Sequence, residues 1–330
     1  MTEKPDRNLG LELVRATEAA ALSAARWVGR GQKEAGDQAA VDAMRLMLGT
    51  VEMDGLIVIG EGEKDNAPML FNGEQVGSGT GRKVDVAVDP VEGTTLLAEG
   101  LPNSIAILAL APRGAMFDPG PAFYMDKIIV GSESAGKVDL DAPVAENLNA
   151  IAQARGLRIE EVNVVILNRA RNQAQINAVR EAGARVSLIT DGDVAPALMC
   201  ALPGTGVDAV MGIGGTPEGV ITACAVHALG GEIQGRLAPQ SDEERGRIKE
   251  AKIEINRKLN LSDLCAGDDH FFAATGITQG TFLGGVNYTR EGAATHSLVT
   301  RSHSGTWRLI ESHHRWDKLT TLNADLYRAD

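Results

Sequence analysis

The run Val84-Asp85-Val86-Ala87-Val88-Asp89 alternates apolar residues with acids, the period of a half-buried strand, and then meets Pro90-Val91-Glu92-Gly93-Thr94. Proline cannot donate to a sheet ladder, so Pro90 bars continuation into a central strand. Two carboxylates, Asp89 and Glu92, are thereby expected just past a strand end, beside a Gly-Thr that can bring backbone and a hydroxyl close to a ligand. Upstream, Leu56-Ile57-Val58-Ile59 reads as a second apolar strand ending in Gly60-Glu61-Gly62-Glu63. One such acid alone is ordinarily a solvated turn residue. Two strand ends that each deliver acids on glycine-flexible backbone suit hard divalent cations, which take oxygen ligands.

The rest of the chain reads as α/β. Leu9 to Val28 is Ala-rich with apolar residues at helical spacing and ends at Gly29. Asp37 to Leu48 reads as a second amphipathic helix, with Asp37 as N-cap or first-turn acid and Gly49 closing it. Strands follow at 56–59, 84–88, 104–110 and 127–130, so residues 1–150 form an α+β half with a layered sheet. From about 150, strands at 162–167, 185–190 and 207–211 alternate with helices at 173–182, 193–201 and 217–229. That is the pattern of parallel βαβ units, whose ligands bind at the carboxyl ends of strands. Ser241 to Lys258 reads as a charged, mostly solvated helix. A late run of strands at 271–274, 281–286, 297–300 and 306–311 is free to return to the first sheet, so a boundary between 1–150 and 151–330 is soft.

Composition narrows the partners. A net charge of −12 and only 4% aromatic residues argue against nucleic acid and anionic membrane surfaces. Three cysteines without a C-x-x-C suit a reducing cytoplasm and buried thiols. The N-terminus has no apolar core of a signal peptide, and no apolar run is long enough to span a bilayer. The six histidines form no H-E-x-x-H and no Cys/His cluster, which disfavours zinc, whereas an all-carboxylate site suits Mg²⁺ or Mn²⁺. Gly131 to Val138 nearly matches a nucleotide-binding phosphate loop, but Val138 stands where the magnesium-binding hydroxyl belongs, so a surface turn is the better reading. Gly212-Ile213-Gly214-Gly215 is better used as close-approach backbone feeding Glu218 into a site than as a dinucleotide fingerprint, because Pro217 replaces its third glycine.

Gly60-Glu61-Gly62-Glu63 followed by Asp89-Pro90-Val91-Glu92-Gly93-Thr94 resembles the metal-dependent, lithium-sensitive sugar phosphatase superfamily, many of whose members read Asp-Pro-x-Asp-Gly-Thr. Glu92 in place of the second Asp resembles one branch, the bacterial class II fructose-1,6-bisphosphatases. Agreement extends through Trp27 to Gly31 with Lys33 and Asp37, Asp65 to Leu70, Asp191-Gly192-Asp193 and Gly212 to Gly219, from about Leu9 to beyond Ile277.

The resemblance implies a layered αβαβα sugar-phosphatase fold with a metal-binding first half and a substrate-binding second half. It implies hydrolysis of the C1 phosphate of fructose 1,6-bisphosphate in gluconeogenesis. The same fold leaves sedoheptulose 1,7-bisphosphate and inositol phosphates open as substrates, and a non-catalytic sugar-phosphate sensor open as another class. Magnesium or manganese ions would be held by Glu61, Asp89, Glu92 and Glu218, with Asp37 either ligating a weaker metal or orienting the nucleophilic water. Lys33 and Asp65 would line the same site, and Thr94 with Asp37 or Asp65 would position the water. Substrate contacts would fall to Glu92, the amides of Gly93 and Thr94, Tyr124, Arg169, Arg171, Asp191, Gly192, Asp193 and Gly215, with turn-making an equal role for Asp193. Relatives usually carry Lys-Pro-Arg where this chain has Arg169-Ala170-Arg171, which keeps charge but alters reach. The expected partners are a small sugar bisphosphate and further copies of the chain, as a dimer or tetramer.

Overall fold

The computed structural model describes residues 8–62 and 69–322. The chain opens with helices α1 (Gly10–Ala24) and α2 (Lys33–Leu48), then lays down β1 (Met53–Ile59), β2 (Gln75–Val76), β3 (Arg82–Glu92), α3 (Thr94–Glu99), β4 (Ile105–Pro112) and β5 (Tyr124–Val130). Strand and helix then alternate: α4 (Val144–Arg155), β6 (Asn163–Leu167), α5 (Gln173–Glu181), β7 (Arg185–Ile189), α6 (Val194–Ala201), β8 (Ala209–Gly215), α7 (Thr216–Ala228) and β9 (Glu232–Leu237). The last part holds α8 (Asp242–Glu250), β10 (Leu259–Asn260), α9 (Leu261–Leu264), β11 (Phe271–Gly276), β12 (Asn287–Tyr288), β13 (Gly292–Arg301), β14 (Thr306–Arg315) and α10 (Trp316–Leu322). No helix among the described residues is long and apolar enough to cross a membrane.

Two mixed sheets result. One runs β12-β13-β11-β4-β3-β1-β2, with β14 on the outer edge of β13; the other runs β10-β9-β5-β8-β6-β7. Strand periodicity sorts the core into layers. On β4, Ala106, Leu108 and Leu110 face α1 and α2, whereas Ile105, Ile107 and Ala109 face α6 and α7. On β5, Met125 and Ile129 return to that same α6–α7 layer, and Ile128 and Val130 pack on α4 and α5. Helix, sheet, helix, sheet, helix is therefore the stacking order, as the α/β reading requires.

Several sequence expectations shift. The sheets do not part at residue 150: β5 pairs with β8 and β9 in the second sheet, while β11 to β14 return to β4 in the first. Such pairings are long-range and leave no local signal. Among the described residues, parallel pairing is confined to β1/β3, β6/β7 and β6/β8. Residues 281–286 form no strand, and β9 was not foreseen, because Glu-Ile-Gln-Gly-Arg-Leu has a glycine and few apolar residues. α2 begins at Lys33, one turn before Asp37, so Asp37 lies inside the helix and shares a face with Lys33.

Pro90 does not end its strand. β3 continues through it to Glu92, with a bulge against β4 between Asp89 and Glu92. The proline is tolerated because β1 pairs with β3 only as far as Ala87, and because bulges are where strands leave backbone unpaired.

Candidate active site

The carboxyl ends of β1, β3, β6, β7 and β8 open on one cavity of about 770 Å³, where α/β sheets ordinarily bind ligands. β1 contributes Gly60 and Glu61, and β3 contributes Asp89, Glu92, Gly93 and Thr94. Arg169 and Arg171 follow β6, Asp191 to Asp193 follow β7, and Gly215 and Glu218 join β8 to α7. Lys33 and Asp37 enter from α2, and Tyr124 enters from the start of β5. Gly93 takes φ 84°, a conformation that costs glycine little, and this turns β3 directly into α3 with Thr94 as its first residue.

The acids crowd. Burial raises Asp89 well above the usual carboxylate range, and Glu92, Glu61, Glu218 and Asp37 push it further. Glu92 is raised by burial and by Asp193 and Glu218, against a bond of 2.9 Å that its Oε1 accepts from Val194 N–H. Burial and Asp37 lift Glu61 to about 7, and burial also raises Asp37 and Glu218. Glu218 Oε2 is buried without a hydrogen-bond partner. Glycines make room for these groups: a Cβ on Gly215 would overlap the Glu218 carboxylate, and one on Gly214 would overlap that of Asp193. Gly214 and Gly215 thus serve close approach, of side chains as well as backbone.

Beneath the acids lies a buried cation. Lys127 of β5 pairs with Asp193 at 2.9 Å and donates to the Gly215 carbonyl at 3.3 Å. Asp191 accepts from Thr95 N–H at 3.2 Å, which ties the 191–193 turn to α3.

Another part of the lining is basic and aromatic. Arg171 donates from Nε to the Ile213 carbonyl at 3.0 Å and lies 4.6 Å over the Tyr124 ring, whereas Arg169 is exposed at the rim. α8 completes this part and is not simply solvated. Ser241 caps it by accepting from Glu244 N–H, and the buried Glu244 carboxylate accepts from the amides of Phe123, Tyr124 and Gln240. Arg247 stacks over Phe123 at the cavity edge.

Every residue singled out from sequence lines this cavity except Asp65, which lies outside the described residues. Sequence reasoning missed Lys127, Glu244, Phe123 and Arg247. A lysine leading directly into the apolar residues Ile128 to Val130 was the available signal for the first.

Among the described residues no three acids, histidines or cysteines converge closely enough to enclose one ion as they stand. The donor set nonetheless fits hard divalent cations: it is all carboxylate, its members are raised by burial first and by their neighbours' charge second, and one buried oxygen has no partner. Acids that need cations, in one cavity with arginines that need anions, define a metal-dependent hydrolase of phosphate esters on a layered α/β fold. The family model of the bacterial fructose-1,6-bisphosphatases, glpX-encoded, matches residues 7–314. The chain is 43% identical over 325 residues to fructose-1,6-bisphosphatase 1 class 2 of Escherichia coli K12, covering 94% of this chain and 96% of that one. The class 2 enzyme of Shigella flexneri gives the same identity and coverage. This chain belongs to the bacterial fructose-1,6-bisphosphatase family, whose members are in general metal-dependent.

Proposed function

We propose that this cavity hydrolyses the C1 phosphate of fructose 1,6-bisphosphate to fructose 6-phosphate and phosphate, with Mg²⁺ or Mn²⁺ as cofactor. The observation that carries the reading is that Glu61, Asp89, Glu92 and Glu218 line one cavity together with Arg169 and Arg171. Uncatalysed phosphate monoesters hydrolyse so slowly that about 20 kcal/mol or more of barrier lowering is needed. Divalent cations would supply most of it when bound, by activating water and neutralising charge on the phosphoryl and leaving oxygens.

The chain's own groups do the rest. Glu61, Asp89, Glu92 and Glu218 would hold the cations, with Asp37 ligating a weaker one or orienting the nucleophile. Thr94, at the start of α3, would place its hydroxyl on the attacking water, and the Gly93 and Thr94 amides would hold phosphate oxygens. Lys33, one helical turn before Asp37, would balance charge at that end. Arg171, fixed by Ile213 and Tyr124, and Arg169 would clamp the phosphate that is not cleaved. Asp191, Gly192, Asp193 and Gly215 would meet the sugar. The same reading has the protein working as a homo-oligomer in the cytoplasm; the three free, buried cysteines support the compartment.

Phosphate release across sugar phosphates, with each metal and with chelator, tests the reaction. Turnover of fructose 1,6-bisphosphate in excess chelator would sink it, and binding without release would leave a sensor. Thr94→Val tests the water-positioning step: kcat should fall by roughly 10²–10⁴-fold with metal affinity and KM little changed. Near wild-type turnover would remove Thr94 from the chemistry and leave it a turn residue.

A further inference from the structure

Away from the cavity, the layer between the sheets brings two thiols and an imidazole together. Cys224 on α7 and Cys265, directly after α9, are 41 residues apart in the chain, yet their sulfurs lie 2.8 Å apart and both side chains are fully buried. His270, just before β11, is buried beside them. Its Nε2–H donates to the Ala266 carbonyl at 2.7 Å, which leaves Nδ1 buried with no hydrogen-bond partner. The His227 ring packs against His270 with centroids 4.8 Å apart. None of these residues lines the cavity or has a task in the proposed hydrolysis.

The two sulfurs are chemically unequal. Burial pushes the Cys224 thiol up, and the hydrogen bond it shares with Cys265 pushes it further. Cys265 is lowered, first by that contact with Cys224 and then by His270. Burial alone would lower His270, but the Cys265 sulfur beside it raises it. The third cysteine differs on each count: Cys200 is alone, points its thiol at the Ile129 carbonyl at 3.6 Å, and is pushed up to about 12 by burial.

We propose that Cys224 and Cys265 are a reversible dithiol–disulfide pair, with Cys265 the sulfur that reacts with hydrogen peroxide and His270 the group that accepts and returns its proton. In the first step the Cys265 thiolate attacks one peroxide oxygen. An S–O bond forms, the O–O bond breaks, and the departing hydroxide takes the proton that Cys265 gave to His270. In the second step Cys224 attacks the Cys265 sulfur. The S–S bond forms, the S–O bond breaks, and hydroxide leaves as a second water with the Cys224 proton. Two thiols are oxidised by two electrons, and one hydrogen peroxide is reduced to two waters. Reduction by a small thiol reverses the bond by exchange. Because Cys224 shares α7 with Glu218, the bond ties the helix bearing a cavity acid to the connection that leads into β11 of the first sheet.

The full-length protein, treated with hydrogen peroxide while folded, is then denatured, alkylated and digested without reductant. The pair predicts protection of two of the three cysteines, one cross-link joining the peptides that carry Cys224 and Cys265, alkylation of Cys200 throughout, and full reversal by dithiothreitol. Cys224→Ser should halt the reaction at a Cys265 sulfenic acid that dimedone captures. His270→Asn should slow bond formation about tenfold, since the rate follows the thiolate fraction. Alkylation of all three cysteines after peroxide, or a bond that forms only once the protein is unfolded, would overturn the proposal. So would a bond that involves Cys200.

Discussion

The Glu218 carboxylate occupies the space that a side chain on Gly215 would need. Gly215 has φ −68° and ψ 140°, a backbone that any residue adopts, so its lack of a side chain answers to that carboxylate and not to the turn. Gly215→Ala is therefore expected to keep the fold and displace Glu218. The Mg²⁺ or Mn²⁺ concentration for half-maximal activity should rise about tenfold or more, as it does when the support of a ligand is disturbed. Metal titration of activity, with thermal unfolding on the same sample, checks it.

Lys127 and Asp193 are both almost fully buried, with side chains 1% and 6% exposed. Lys127→Met should destabilise the protein by about 3–5 kcal/mol, because it strands a buried carboxylate. Lys127→Met with Asp193→Asn should recover part of that loss. Urea unfolding of the two single variants and the double gives the coupling directly.

Arg171 is held by a carbonyl and a ring, whereas Arg169 is free at the rim. Steady-state kinetics should show a larger rise in KM for Arg171→Ala than for Arg169→Ala, with kcat changed less in both, as for uniform binding of a remote phosphate. Arg171→Lys should not restore KM, since an ammonium cannot stack on Tyr124 and bond Ile213 as a guanidinium does.

Glu61 is held at about 7 against an ordinary value of 4.5, and Asp37, Asp89, Glu92 and Glu218 are raised with it. The folded protein thus keeps protons that the unfolded chain has lost. Its metal-free stability should fall as pH rises from about 4.5 through 7, and further as the more strongly raised acids ionise. Cations should oppose that loss, so the gain in Tm on adding Mg²⁺ should be greater near about pH 8 than near about pH 5.5. An equal gain at both would show that these carboxylates do not bind the ion.

How much could be read beforehand follows from how local each signal is. The acids on β1, β3 and α7 announce themselves through glycine and proline punctuation within a few residues, and the cavity gathers all of those described. The alternation from β6 to α7 is likewise a short-range pattern. Lys127 looked like the polar start of the apolar run that continues through Val130, and only the pairing of β5 with β8 sets it under Asp193. Glu244 looked like one acid among several on a charged helix, until its carboxylate met the amides of Phe123 and Tyr124 from another part of the chain. The return of β11 to β14 to the first sheet is decided by partners in β4, which no window of sequence contains.

The bulge in β3 has a bearing on the spacing of its two acids. Along a regular strand, residues three apart point to opposite sides of the sheet, so Asp89 and Glu92 would be separated by the thickness of the sheet itself. Asp89 stands opposite Ile107 and Glu92 opposite Ile105, so three steps on β3 span two on β4 and the phase between the acids is reset to even. The interval Asp-Pro-x-Glu is in that sense a parity device. Straightening that bulge, with the three-residue interval and every side chain of the site retained, would send one of them to the far side of the sheet.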